Sequence, residues 1–268
     1  MERKVKSFDG TRINYDIVRK KNKKRFLIFL GGAGGDLTSW RKEREFLHKN
    51  LFSTIAIDYR GHGLSDRPEN PSDYKLENFA RDLYEVIKQE KIRNPIIIGY
   101  CFGGMVAINF HRLYPKIARA YCFIDTTYKS PGILKRIFNR KINRIVRLMK
   151  YPPEFNHNHY NRFVNTGDWN ILRILSNISH TSLKSWLFTY ENISNFNGIS
   201  VLRSIEQPVL ILEGEKDSIF RVVIAKKIEH LLKNSKLNII SNANHIIVIN
   251  NPKEVEEQLL RFANKIFS

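Results

Sequence analysis

A chain of 268 residues, 42% hydrophobic and 12% aromatic, carries enough apolar material for one core and is not a disordered polypeptide. Two cysteines are too few for a disulfide framework, and no apolar run approaches the roughly 20 residues that cross a bilayer. The net charge of +19 comes from lysines and arginines scattered along the whole chain, which favours compositional bias over a nucleic-acid surface.

The first residues are basic but lack the apolar stretch of a secretory signal, so a soluble, cytoplasmic protein without stable membrane insertion is expected. Val5, Ile13, Tyr15 and Ile17 alternate around Asp9-Gly10, which predicts a hairpin. The basic run from Arg19 to Arg25 reads as its solvated exit. Residues 26–30 are continuously apolar, as in a strand buried on both faces, and end at Gly31-Gly32-Ala33-Gly34-Gly35. A helix follows over 38–48, then a strand over 54–58, a helix over 76–91, a strand over 95–98, a helix over 102–114 and a strand over 120–125. After a long interruption come a strand over 208–212, a helix over 221–232, a strand over 237–240 and a closing helix over 252–266. Strands alternating with helices of this length specify an α/β class, a mostly parallel sheet covered on both faces, with reactive groups at the strands' carboxyl ends.

The interruption divides the chain into a core, residues 1–127 and 204–268, and a helical cap insertion, residues 128–203. A basic amphipathic helix is expected over 133–149, with a membrane-lying helix as the other reading of that segment. Further helices are expected over 168–177 and 181–193, and Trp169, Trp186 and Phe188 stand out as residues that would shape a pocket beneath the cap. His157 and His159 lack a third ligand nearby and read as part of a solvated loop rather than a metal site.

Gly99-Tyr100-Cys101-Phe102-Gly103-Gly104 lies between an apolar strand and an apolar helix, the setting in which a sharp turn presents a nucleophile. Small residues at Gly99 and Gly103 let the chain pass, and the start of the next helix favours a thiolate at Cys101. A small buried structural cysteine is the other reading of this hexapeptide.

The remaining motifs resemble those of the α/β-hydrolase superfamily over essentially the whole sequence. Leu30-Gly31-Gly32-Ala33-Gly34-Gly35 looks like its oxyanion loop, and Asp58-Tyr59-Arg60-Gly61-His62-Gly63-Leu64-Ser65-Asp66 is similar to the turn after its fourth strand. Leu212-Glu213-Gly214-Glu215-Lys216-Asp217 resembles the loop that delivers the acid, and Asn242-Ala243-Asn244-His245 the loop that delivers the histidine. The resemblance implies an α/β-hydrolase fold with a catalytic triad of Cys101, Asp217 and His245. It further implies an oxyanion hole from the backbone N–H groups of Ala33 and Phe102, with His62 in a structural turn and Asp125 as a substitute acid. Most members carry serine where Cys101 stands; cysteine occurs in dienelactone hydrolases and polyester synthases, to which the hexapeptide is close. Gly31 replaces the usual histidine at the head of the oxyanion loop, which predicts a looser loop.

A thiolate of this kind attacks activated acyl groups, so hydrolysis of a carboxylic ester, lactone or thioester is expected. Acyl transfer on the same triad and ligand binding without catalysis are the alternatives. The expected partner is a small-molecule ester or thioester, and the basic cap suits an anionic one. No metal or organic cofactor is implied, and the oligomeric state is open.

Overall fold

The computed structural model describes residues 2–20, 25–130, 145–152 and 156–268. The alternating first segment folds as the hairpin β1 (Glu2–Lys6) and β2 (Arg12–Val18), and buries Val5, Ile13, Tyr15 and Ile17. The apolar runs form β3 (Phe26–Leu30), β4 (Ser53–Ile57), β5 (Ile96–Tyr100) and β6 (Ala120–Ile124), each buried along its length. The last two strands, β7 (Val209–Gly214) and β8 (Ser235–Ile240), complete a sheet in the order β1-β2-β4-β3-β5-β6-β7-β8. Only the pairings of β2, with β1 and with β4, are antiparallel; β4 through β8 run parallel. This is the α/β-hydrolase fold expected from the motifs.

The pleat sends alternate residues of each strand to opposite faces. On one face Phe26, Ile28 and Leu30 join a core built by α2 (Leu76–Gln89), α3 (Phe102–Leu113) and α7 (Val222–Leu231). On the other, Leu27 and Phe29 meet α1 (Arg41–Lys49) and α9 (Pro252–Phe267) through Leu47, Leu259 and Ala263. Both faces are covered, which is why these strands carry no polar alternation. The parallel strands deliver the loops after β3, β5, β7 and β8 to a single edge.

Between β6 and β7 lie α4 (Ile171–Thr181), α5 (Leu183–Ile193) and α6 (Ile199–Ser204). The insertion starts and finishes side by side: Lys129 bridges Asn197, Ser130 N–H donates to Phe196 O at 2.9 Å, and Gly198 N–H donates to Tyr128 O at 2.8 Å. The helix expected over 168–177 begins three residues later because Asn170 caps it, accepting from Arg173 N–H at 2.8 Å. The next is separated from it by Ser182, held at φ 80° with its hydroxyl capping α5. The helix expected over 133–149 lies outside the described residues except for its end, where 145–148 are helical; most of the basic cluster from Lys135 to Lys150 falls outside likewise. The short helices α6 and α8 (Ile247–Asn250) were not expected from periodicity.

Of the basic run expected to be a solvated exit, residues 21–24 lie outside the described residues, and Arg19 is exposed as expected; His157, expected in a solvated loop, is not, whereas His159 is exposed. Arg19 pairs with Glu90 at 2.5 Å and lies over the Phe26 ring. His157 Nε2 sits 2.9 Å from the buried Asp58 carboxylate and its imidazole is largely covered. That carboxylate is the centre of the turn after β4, accepting from Leu37 N–H, Leu64 N–H and the Asn14 amide at 2.8, 3.0 and 2.8 Å. Arg60, fully buried, ties the same turn to Asp82 and Asp9.

His62 is fully buried in this turn, its Nδ1 3.0 Å from Arg60 O, and burial pulls its pKa down to about 4. An unfolded histidine takes its proton near 6.5, so between that pH and about 4 the unfolded chain binds more protons and acid favours it. The denaturation midpoint is expected to fall as pH drops through this window, with roughly 3 kcal/mol lost to this group by pH 4. His62→Gln should flatten that fall; equal pH slopes for the variant and the wild type in urea titrations would rule the explanation out.

Candidate active site

Cys101 stands where β5 gives way to α3, with φ 51° and ψ −112°, a backbone that residues bearing a Cβ rarely adopt. The turn closes only because its neighbours are bare. A Cβ on Gly99 would lie 2.4 Å from Gly103 O, and one on Gly103 would lie 2.2 Å from Leu30 O. Cys101 N–H donates to Ile124 O at 2.9 Å, while its own carbonyl accepts from the Thr126 hydroxyl at 2.6 Å and Gly104 N–H at 3.1 Å. The side chain is thereby lifted off the strand at the N-terminus of α3, and Cys101 is partly exposed. Cys122, the other free cysteine, is fully buried in β6, and burial pushes its thiol far up.

His245 and Asp217 come from the loops after β8 and β7 and meet at this edge. The imidazole Nδ1–H donates to Asp217 Oδ2 at 2.7 Å, and the Cys101 sulfur is a neighbour whose charge acts on the ring. Asp217 Oδ1 accepts from Ile219 and Phe220 N–H at 2.6 and 2.8 Å, so the carboxylate cannot swing. Tyr100 and Phe220 pack against the imidazole with centroids 5.5 and 5.4 Å away, and Tyr100 O–H donates to His245 O at 3.0 Å. Burial pulls the imidazole's pKa down; the charge of the Cys101 sulfur and the hydrogen bond to Asp217 outweigh it and hold His245 well above the ordinary histidine range.

Asp125 and Glu213 are fully buried behind this pair. Asp125 Oδ1 accepts from Gly214 N–H at 2.8 Å, whereas its Oδ2 and both Glu213 oxygens have no partner among the described residues. Burial and neighbouring carboxylates push Asp125 far up and Glu213 to about 10, which leaves Glu213 a neutral acid at pH 7. Ligand atoms of Asp125, Asp217 and His245 lie within 4.8 Å of one another. The 2.7 Å bond between Asp217 and His245 pairs two of these three groups with each other.

The loop after β3 runs alongside Cys101: a Cβ on Gly32 would lie 3.6 Å from Cys101 Cβ and 3.1 Å from the Tyr100 ring. Ala33 is on this loop, and Phe102, directly after Cys101, opens α3. The expected looseness at Gly31 is not found. Tyr59 O–H donates to Gly31 O at 3.2 Å, Gly35 N–H to Gly32 O at 3.1 Å, and the Thr181 hydroxyl to Gly34 O at 2.9 Å, so core and insertion both grip the loop.

Of the three aromatic residues expected to shape a pocket, Trp186 lies against Gly34 on the oxyanion-type loop. Phe188 is instead fully buried against Tyr74, and Trp169 is 68% exposed. Tyr190, tilted against Trp186 with centroids 4.2 Å apart, was missed by sequence reasoning; burial and the Cys101 charge push its phenol up. Asp168 was missed too, since nothing in its local sequence marks it. Its carboxylate accepts from His245 N–H at 2.8 Å and from Ser218 N–H and O–H at 3.0 and 2.7 Å.

Comparison with known proteins agrees with this architecture. The family described as "alpha/beta hydrolase fold" matches residues 25–142. The chain is 25% identical over 267 residues to Epoxide hydrolase 1 of Caenorhabditis elegans, covering 90% of this chain and 65% of that protein. It is 27% identical over 250 residues to a putative 2-succinyl-6-hydroxy-2,4-cyclohexadiene-1-carboxylate synthase of Bacillus subtilis, covering 87% and 88%. An esterase structure from Exiguobacterium antarcticum superposes with a TM-score of 0.77 at 16% identity, covering 98% of this chain and 100% of that one. Strand order, motifs and these matches agree that the chain has the alpha/beta hydrolase fold.

Proposed function

We propose that this protein hydrolyses a carboxylic ester, lactone or thioester through an acyl-cysteine intermediate, with Cys101 as nucleophile, His245 as base and then acid, and Asp217 as the group that orients it. The observation that carries this reading is the convergence at one edge of the sheet of the strained Cys101 turn and the loops bearing His245 and Asp217, with Nδ1 2.7 Å from Oδ2. Residues 128–203 act as a cap over this edge, with residues 1–127 and 204–268 as the catalytic core.

The thiol proton has passed to His245 before attack; in the first half-reaction the Cys101 thiolate bonds to the acyl carbon, driving the carbonyl π pair onto oxygen. The N–H groups of Ala33 and Phe102 donate to that oxyanion, a contribution of about 3 to 4 kcal/mol per donor. Collapse breaks the bond to the alcohol or thiol, which leaves with the proton from His245. In the second, His245 takes a proton from water, hydroxide adds to the thioester, and Cys101 departs with the acid as product. Asp217 keeps the imidazole in the Nδ1–H tautomer throughout and stabilises the imidazolium.

The reading predicts that a chromogenic short-chain ester is turned over by the wild type, with kcat falling at least about 1,000-fold in Cys101→Ala and in His245→Ala. Turnover that survives in Cys101→Ala would remove cysteine from the chemistry. A slow rate raised severalfold by an added alcohol or amine acceptor would favour acyl transfer instead.

Because His245 holds its proton above the ordinary histidine range, the cation stays beside the sulfur at pH 6.5. Iodoacetamide should therefore alkylate Cys101 at that pH at least about tenfold faster in the wild type than in His245→Ala, followed by intact mass. Equal rates would mean that the thiol is not activated.

The charge of +19 suits an anionic substrate. With a negatively charged ester, kcat/KM is expected to fall as ionic strength rises from 0.01 to 0.5 M while a neutral ester is unaffected, and a flat response for both would count against this preference.

A further inference from the structure

Asp168 belongs to the insertion, yet its side chain is committed to the two loops that carry His245 and Asp217. It lies in the strap that joins a short 3-10 turn, Tyr160–Phe163, to α4, and the residue is only 7% exposed. One carboxylate oxygen accepts from the backbone N–H of His245 itself at 2.8 Å. The other accepts from Ser218, the residue after Asp217, through both its N–H at 3.0 Å and its O–H at 2.7 Å. Trp169 reinforces the second contact, its indole N–H donating to Ser218 Oγ at 3.0 Å. The strap is itself pinned: Arg173 donates to Asp168 O, and Thr166 O accepts from the amides of Asn244 and Asn250 at 2.9 Å each.

We infer that Asp168 is a positioning residue which locks the histidine loop to the acid loop, so that the cap fixes the geometry of the His245–Asp217 pair. This rests on the triad reading proposed above. A carboxylate that only anchored the insertion would serve as well on any two backbone amides of the core. This one takes the amide of one triad residue and the amide next to another, and closes a ring around the 2.7 Å bond between their side chains. Bonds from N–H and O–H to an ionised carboxylate are short and directional, so they fix spacing as well as supply energy. Spacing is what the chemistry is sensitive to: a displacement of about 1 Å costs on the order of 100-fold in rate.

The test compares Asp168→Ala, Asp168→Asn and Trp169→Phe with the wild type and His245→Ala. The readouts are the rate of Cys101 alkylation by iodoacetamide from pH 5.5 to 9, kcat and KM on a chromogenic ester, and thermal midpoint. Asp168→Ala should lower kcat by about 100-fold with KM changed less than threefold, and move its alkylation profile toward that of His245→Ala. Asp168→Asn retains one acceptor and should fall between; Trp169→Phe keeps the carboxylate and should stay within about threefold of the wild type. If Asp168→Ala does not fold, Ser218→Ala, which deletes only the hydroxyl donor, should still lower kcat while leaving KM alone. The inference is overturned if the folded variants of Asp168 alkylate and turn over like the wild type, or if only their thermal midpoint moves. Failure of the triad reading has a different signature: wild type and His245→Ala then alkylate alike, before Asp168 is touched.

Discussion

The left-handed turn at Cys101 is the constraint on which the rest of the site depends. A residue with a Cβ at φ 51° is strained by an amount of order 1 to 3 kcal/mol, and it persists because the surroundings over-determine it. Ile124 O, the Thr126 hydroxyl and the bare approaches at Gly99 and Gly103 do so here. Because Cys101 is the N-cap of α3, the same turn that strains the backbone sets the sulfur against the positive end of a helix. Strain and electrostatics are consequences of one local geometry, and the histidine loop has only to bring an imidazole to a point that the strand and helix have already fixed.

The environment separates three acids by their partners. Asp217 accepts two backbone amides and an imidazole N–H, so its charge is spread over three donors. Asp125 has one amide and Glu213 has no partner among the described residues; burial raises both, and Glu213, at about 10, is neutral at pH 7. Asp217 is the carboxylate hydrogen-bonded to the imidazole at 2.7 Å, and so the one that orients it. Asp125, just past the end of β6, accepts instead from Gly214 N–H at 2.8 Å.

Most of the scaffold was legible in the residues. Continuous apolar runs gave the buried parallel strands, the Asp9-Gly10 turn gave the hairpin, and loops that follow strands gave the positions of Cys101, Asp217 and His245. What the sequence hid depends on contacts between distant segments. Asp168 reads as a helix start, yet its carboxylate is drawn 50 and 77 residues away to Ser218 and His245, and α4 begins only at Asn170's cap. His157 reads as solvent-facing because nothing near it announces Asp58, 99 residues distant. Gly31 suggested slack in the oxyanion-type loop, since the hydroxyl of Tyr59 that holds it comes from another strand's turn. Side-chain to backbone bonds across the chain leave no periodic trace, so local pattern reading cannot find them.

The central claim is that an acyl group passes through the sulfur of Cys101. Mixing the protein with an excess of a slowly deacylating activated ester, quenching in acid within the first turnovers and digesting for mass spectrometry measures this directly. The account predicts a peptide containing Cys101 heavier by the acyl group, lost on incubation at neutral pH and absent from Cys101→Ala. Turnover with no adduct on Cys101, or an adduct elsewhere that forms and decays at the rate of turnover, would contradict it.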